Sequence, residues 1–486
     1  MGSDSAPPPR GSRVRPSPPG TAAARPRGDG KVTDVPAPVP ASTASGPPVP
    51  RGLNREILRL AVPALGALLA EPMFLLADSA IIGHLGTAQL AGLGLAAVIL
   101  NTAVGLSVFL AYGTTSQVAR QIGAGNITGA LGHGVDGMWF AVIIGVVLAG
   151  IGWPASSLLI GWTGGPGAVA EYGTTYLQWS TLGLPAMLLV LASTGVLRGL
   201  QDTRTPLVVA VAGAVGNVGL NLLLVYGLDL GVAGSAVGTV ITQWLMAGAL
   251  VLITVRACRE HRVPLRPHLG RLGGVGRAGF PLFLRTLTLR ATAVGTTVIA
   301  AGQGEIALAA HQVVFNIWNL LALGLDALAI AAQALTGKAL GAGNTTQVRL
   351  LSRRLLAWGV WAGVVFGLLV LAVHSVAGSA FTEDPAVRAA IAATMVVLAI
   401  GQPLSGWVFV LDGLLIGAGD GVFLAKAGVV NLLAYLPAAA AVVIWAPGGT
   451  AGLVWLWVAF IGVYMSARAV TLGVRYRGDG WLVTGG

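Results

Sequence analysis

Six charged side chains lie inside long apolar stretches of this chain: Glu71, Asp78, Arg285, Arg290, Asp326 and Asp412. A charge far from water is costly, so charges kept there are candidates for a function that needs them. Glu71 and Asp78 are seven residues apart, which places both on one face of a helix. Pro72 stands between them and Pro63 precedes them; a proline inside a helix kinks it and frees a backbone carbonyl. Desolvation disfavours a charged carboxylate, so a group such as Asp78, with Glu71 as a second candidate, can hold a proton and exchange it as a cleft opens. The plainer alternative is a structural hydrogen bond, or a charge pair with Arg285 or Arg290. Those arginines could instead bind an anion, and Arg285 could snorkel to an interface. Asp326 and Asp412 could form the polar centre of the second half of the chain or simply be paired within it. Asn217 and Asn221, four apart, share a helix face. They could coordinate a cation, hydrogen-bond a substrate or join helices.

Other chemistries find no support. The sequence has no GxxxxGK[ST], no HExxH and no paired CxxC, and its six histidines are dispersed. No enzyme active site, metal centre or bound cofactor is therefore expected. His84 and His311 fall near predicted helix ends, where interfacial solvation is the simple explanation. Cys258 is the single cysteine, so no intrachain disulfide or thiolate cluster can form.

The elements that carry these residues are apolar runs of membrane length. They cover approximately 57–83, 89–115, 137–162, 174–197, 206–227, 232–255, 279–302, 313–336, 356–378, 389–416, 421–446 and 451–472. Most reach the ~20 residues a helix needs to cross a bilayer. Charged residues make up 10% of the chain, against about 25% in soluble domains, too few to cover a water-facing surface. The lipid bilayer is thus an expected partner. The formal charge of +11 does not indicate nucleic acid, because the basic residues are not interleaved with aromatic ones.

Charge placement also predicts orientation. Arg120, Arg198 with Arg204, the run from Arg256 to Arg277, Lys338 with Arg349, Arg353 and Arg354, and Lys426 fall in every second connection. The others hold Glu171, Asp229, Glu305, Glu383 and Asp384, with Arg388 the exception. The positive-inside rule then predicts a multi-pass protein of the inner (plasma) membrane with both termini cytoplasmic. Residues 1–52, rich in Pro and Arg and lacking an apolar signal region, read as a disordered cytoplasmic tail.

The chain repeats itself. GAGN at 123–126 recurs at 341–344, an offset of 218, and the same offset relates Pro63 to Pro281, Asn101 to Asn319 and Pro185 to Pro403. Six helices per copy is an even number, so the copies share an orientation and are related by an axis along the membrane normal. The predicted fold is all-α: twelve transmembrane helices in two pseudo-symmetric six-helix lobes, 53–262 and 263–476, followed by a cytoplasmic tail, 477–486. A central cleft between the lobes is the expected place for a small-molecule substrate.

LADSAIIGHLG (76–86), FLRTLTLR (283–290), AAHQVVFN (309–316), the two GAGN segments and VLDGLLIGAGD (410–420) resemble motifs of the multidrug and toxic compound extrusion (MATE) family. The likeness is nearest to its DNA-damage-inducible F branch and runs from about residue 55 to 475. It implies alternating access and export of amphipathic solutes, cationic by family default, in exchange for H⁺ or Na⁺; a monomer is the expected functional unit. It also gives Asp78 the role of the branch's coupling acid and matches Arg285 to its helix-7 arginine. Where many relatives carry N-x-x-x-D, this chain has Asn217-Val-Gly-Leu-Asn221. Losing that carboxylate weakens a Na⁺ site, which needs hard, negatively charged oxygen ligands. H⁺ is therefore the expected coupling ion and Na⁺ the alternative; a lipid or lipid-linked-sugar flippase is the neighbouring function. Arg285 and Arg290 leave anionic or zwitterionic substrates open.

Overall fold

A lipid-facing backbone must satisfy its polar groups within its own segment, which leaves helices as the solution for runs of this length. The computed structural model describes residues 52–164 and 166–485, and these are helical nearly throughout. The tail read as disordered, apart from Gly52, lies outside the described residues.

The helices are α1 (Leu53–Gly83), α2 (Thr87–Gly123), α3 (Ile127–Trp162), α4 (Gly167–Thr181 and Leu184–Gly199), α5 (Arg204–Gly227) and α6 (Gly231–Glu260). The second half continues with α7 (Leu269–Gly302), α8 (Glu305–Gly341), α9 (Thr345–Ala380), α10 (Pro385–Gly417), α11 (Gly421–Trp445) and α12 (Thr450–Arg477). Among the described residues eleven of these are long and apolar enough to span a membrane, and α4 makes twelve if its two halves, bent by 51°, are one span. The protein is thus a multi-pass, all-helical membrane protein.

Several helices are longer than their apolar runs. α3 starts at Ile127 rather than 137, and α7 at Leu269 rather than 279. Hydrophobicity marks the hydrocarbon slab, whereas the hydrogen-bonded helix extends past it into polar surroundings. Arg198, Cys258 and Lys338, read as loop residues, consequently sit in the last turns of α4, α6 and α8.

The repeated GAGN has a local explanation. In each copy the second glycine takes a left-handed φ, 74° at Gly125 and 73° at Gly343, which glycine adopts without strain. The asparagine then caps the next helix: Asn126 Oδ1 accepts from the Gly129 N–H at 2.8 Å and Asn344 Oδ1 from the Gln347 N–H at 2.9 Å.

The first glycine of each GAGN serves the contact between the halves. A Cβ on Gly123 would run into the Lys338 carbonyl, and one on Gly341 into the Arg120 carbonyl. Lys338 and Arg120 are themselves related by the 218-residue offset, so the contact is reciprocal, as a pseudo-two-fold axis requires. Within each half, Gly145 lets α3 approach α4 at Pro185, and Gly363 lets α9 approach α10 at Pro403. The repeat is not perfect: Pro185 begins the second half of the bent α4, whereas Pro403 lies inside a continuous α10.

Side-chain hydrogen bonds joining the halves lie on the side of the GAGN turns. Ser116 Oγ donates to the Gly417 carbonyl at 3.2 Å, Gln333 Nε2 to the Tyr112 carbonyl at 2.6 Å, and Lys338 Nζ to Gln201 Oε1 at 2.8 Å. Arg120 donates to the carbonyls of Ala418, Val483 and Gly485 at 2.8, 2.8 and 2.9 Å. The segment after α12 is thereby fastened across the junction. A cavity of about 330 Å³ opens beside this closure, lined by Ser116, Gln117, Arg120, His133, Leu282 and Ile416 among others.

Candidate functional site

Asp78 lies near the end of α1, 1% exposed. Asn221 of α5 donates its amide to Asp78 Oδ1 at 2.5 Å, and Thr239 of α6 donates its hydroxyl to Asp78 Oδ2 at 3.2 Å. Asn217 Nδ2 donates to Thr239 Oγ1 at 3.1 Å, while its Oδ1 accepts from Asn221 at 3.3 Å. Both asparagines are fully buried, and Tyr176 of α4 is within reach of Asp78. A Cβ on Gly238 would collide with Asn221 Oδ1, so glycine there makes room for the amide.

Two features hold this cluster. The Tyr226 hydroxyl donates to the Ile81 carbonyl at 2.6 Å, tying α5 to α1 one turn beyond Asp78. The backbone of α5 widens to a π-helix over Leu223–Gly227, starting two residues after Asn221; such departures recur at functional sites. α1 runs through Pro63 and Pro72 without interruption. The hydrogen-bond donors around Asp78 are all neutral, which fits a group that gains and loses a proton. Asn221 Oδ1, buried, has no partner.

Glu71 does not join this cluster. It is exposed, and the charge that acts on it is Arg290 of α7. Two helical turns separate it from Asp78, and the two acids have different partners although they share a face.

In the second half, Arg285 of α7 pairs with Asp412 of α10 through two nitrogens, and Arg468 of α12 donates to Asp412 Oδ2 at 3.2 Å. These side chains are 7–11% exposed. Arg285 thus makes a buried ion pair and does not snorkel. Its guanidinium also lies 5.8 Å from the centre of the Tyr112 ring of α2. Asp326 of α8 lies within electrostatic reach of Arg285, Arg468 and Arg198. Asp412 is therefore the paired acid and Asp326 the one beside it.

Arg468, Arg198, Tyr112, Tyr176 and Thr239 were not expected as site residues. Arg468 lies in the run 451–472 and obeys the same criterion as the six charges first noted. Arg198 ends an apolar run and reads as a loop charge until the helix is seen to enclose it, at 9% exposure. Thr239 and the two tyrosines carry no sequence signal distinguishing them from other buried polar residues. His311, expected at an interface, is fully buried, with Nε2 3.1 Å from Thr297 Oγ1.

The family model MatE matches residues 63–223 and again 281–441, two segments separated by the same 218-residue offset. The chain is 32% identical over 445 residues to "Protein DETOXIFICATION 44, chloroplastic" of Arabidopsis thaliana, covering 87% of this chain and 83% of that protein. It is 28% identical over 374 residues to "DNA damage-inducible protein F" of Escherichia coli K12, covering 75% and 81%. Its fold is similar to the solved structure "Crystal structure of MATE in the bent conformation", with a TM-score of 0.80, 22% identity, and 87% and 95% of the two chains covered.

Proposed function

Since this chain belongs to the MATE family of membrane transporters, we propose that it is a proton-coupled antiporter exporting amphipathic organic solutes, with Asp78 as the coupling acid. The observation that carries the reading is the surroundings of Asp78: a carboxylate 1% exposed whose hydrogen-bond donors are the neutral side chains of Asn221 and Thr239. A buried carboxylate with no basic side chain against it is a site that a proton can neutralise. Na⁺ would need several oxygen ligands with more negative charge, and Asn221 stands where a second carboxylate would supply it.

A proton also suits Asn221 Oδ1, the buried atom beside Asp78 that lacks a partner among the described residues. Turning the Asn221 amide presents its oxygen to Asp78, and a protonated Asp78 can donate to it; a deprotonated Asp78 accepts from the amide nitrogen. Proton loading therefore exchanges one hydrogen-bond pattern for another between α1 and α5. α5 is tied to α1 by Tyr226, so the change is felt along both helices.

By the positive-inside rule the GAGN side is cytoplasmic. The reciprocal glycine contact and the bonds of Arg120, Ser116 and Lys338 then close the cytoplasmic side. Substrate loading from the cytoplasm requires that closure to part, while protonation of Asp78 from outside accompanies release. Uptake of cationic and anionic fluorescent dyes into energised inverted vesicles, at several Na⁺ concentrations, tests this. Transport that survives Asp78→Asn, or that requires Na⁺, overturns proton coupling through Asp78.

A further inference from the structure

Residues Gly478–Gly485 follow α12, yet they end against the first half of the chain. Their seat is in the second half. The Trp481 side chain is 1% exposed, and its Nε1 donates to the Tyr476 carbonyl at 3.1 Å. Arg349 of α9 lies over the Tyr476 and Trp481 rings at 5.5 and 5.4 Å. Arg349 also donates to the carbonyls of Tyr476 and Gly478 at 2.8 and 3.1 Å and pairs with Asp479. Arg475 donates to Asp420 at 2.6 Å and to the Gly480 carbonyl at 3.0 Å. Beyond Trp481 the segment meets α2. Arg120 donates to the Val483 carbonyl at 2.8 Å and, through two nitrogens, to the Gly485 carbonyl at 3.0 and 2.9 Å. The Gly485 N–H donates to the Leu340 carbonyl at 3.2 Å, beside the tight contact of Gly341.

The internal repeat gives this segment a counterpart. The 218-residue offset sets Gly478–Gly485 against Glu260–Pro267, in the connection from α6 to α7 that joins the halves covalently. That connection rests on α3, where Trp139 Nε1 donates to the Leu265 carbonyl at 2.9 Å. The segment after α12 rests on α9, the counterpart of α3, and Arg120 grips it where the first crossing has a continuous chain. Among the described residues Lys338, the counterpart of Arg120, donates to Gln201 Oε1 alone.

We propose that Gly478–Gly485 is a latch whose release governs opening of the GAGN side, with Trp481 anchoring it to the second half and Arg120 of the first half gripping its carbonyls. Two residues carry the chain from Trp481 to Val483, about 7 Å at full extension, so little slack remains while both ends are held. Among the described residues no carboxylate pairs with Arg120. Its acceptors are carbonyls of the second half, lost together when α2 moves away, and bonds from a charged donor are the stronger kind. That the GAGN side opens at all rests on reading the protein as an exporter.

The test is the distance between spin labels at Thr128→Cys and Thr346→Cys, exposed positions in the first turns of α3 and α9. It is measured by double electron–electron resonance in a Cys258→Ser background, on the full-length protein in lipid nanodiscs without substrate or pH gradient. Arg120→Gln is expected to raise the ratio of long-distance to short-distance populations about tenfold. Arg120→Lys, which keeps the charge without the fork, should raise it less. Trp481→Ala should act in the same direction, although the ring partners of Trp481 are Tyr476 and Arg349, both of the second half. Combining Trp481→Ala with Arg120→Gln should add little to the larger single effect, because both release one grip. Arg349→Gln loosens the same seat and replaces Trp481→Ala should that variant fail to fold. The latch is overturned by a distribution that Arg120→Gln leaves unchanged, or that both seat variants leave unchanged. Fully additive effects overturn it too, since the two side chains would then act separately. The readout needs no transport, so the behaviour of Asp78→Asn bears on the coupling acid and not on the latch.

Discussion

Asn221 donates its amide to Asp78 across the gap between α5 and α1, and no described Lys, Arg or His side chain takes part in the contact. Replacing Asn221 with Ala removes a buried donor to a carboxylate, worth about 1.5–3 kcal/mol. A lowered thermal midpoint of the purified protein, with slower pH-gradient-driven transport, is the expected result. Asn221→Asp instead sets two carboxylates side by side, and transport measured against Na⁺ concentration should then become Na⁺-stimulated.

Asp78→Asn preserves the size of the side chain and removes the proton site. Dye uptake driven by a pH gradient should fall to the level of vesicles lacking the protein. The variant should still be folded, because an amide at position 78 can exchange hydrogen bonds with Asn221 and Thr239. Circular dichroism and size-exclusion behaviour equal to wild type would establish that.

Asp412 compensates two buried arginines. Asp412→Asn leaves both guanidiniums without the carboxylate that accepts their hydrogen bonds, a loss of about 3–5 kcal/mol for a broken buried pair. A large drop in thermal stability is expected, measurable by fluorescence-detected size-exclusion after heating. Adding Arg285→Met to Asp412→Asn removes one of the stranded charges and should recover part of that stability.

The reciprocal contact of Gly123 and Gly341 has no room for a methyl group. Gly341→Ala should push α8 away from the Arg120 carbonyl and shift the population away from the closed GAGN side. Spin labels at Asn126→Cys and Asn344→Cys, both exposed, in a Cys258→Ser background would report a longer distance in the Gly341→Ala protein. An unchanged distance distribution would show that the contact does not govern closure.

Much of the architecture could be read from the chain alone, because hydrophobic length, the 218-residue repeat and the alternation of charge are local or linear properties. The twelve apolar runs each fall, to within a residue, inside one helix or, in α4, inside a bent pair. Helix ends were less legible. α3 and α7 continue about ten residues beyond their apolar runs, since hydrogen bonding in the helix does not stop where lipid does. The GAGN segments were visible as a repeat, but their double duty, a left-handed turn with an asparagine cap and a glycine packed on the other half, was not.

For the site, the sequence determined which charges are costly to keep in the membrane and that Asn217 and Asn221 share a face with each other. Those facts follow from composition and helical period. Which charge meets which was decided only by the fold. Glu71 and Asp78 share a face of α1 by spacing, yet α7 brings Arg290 to one and α5 with α6 brings neutral donors to the other. Arg198 reads as a loop charge in sequence and becomes a buried guanidinium because α4 extends past its apolar run into the junction of the halves. Periodicity fixes where a side chain points along its own helix; partners on helices tens or hundreds of residues away are set by packing between helices, which no linear pattern encodes.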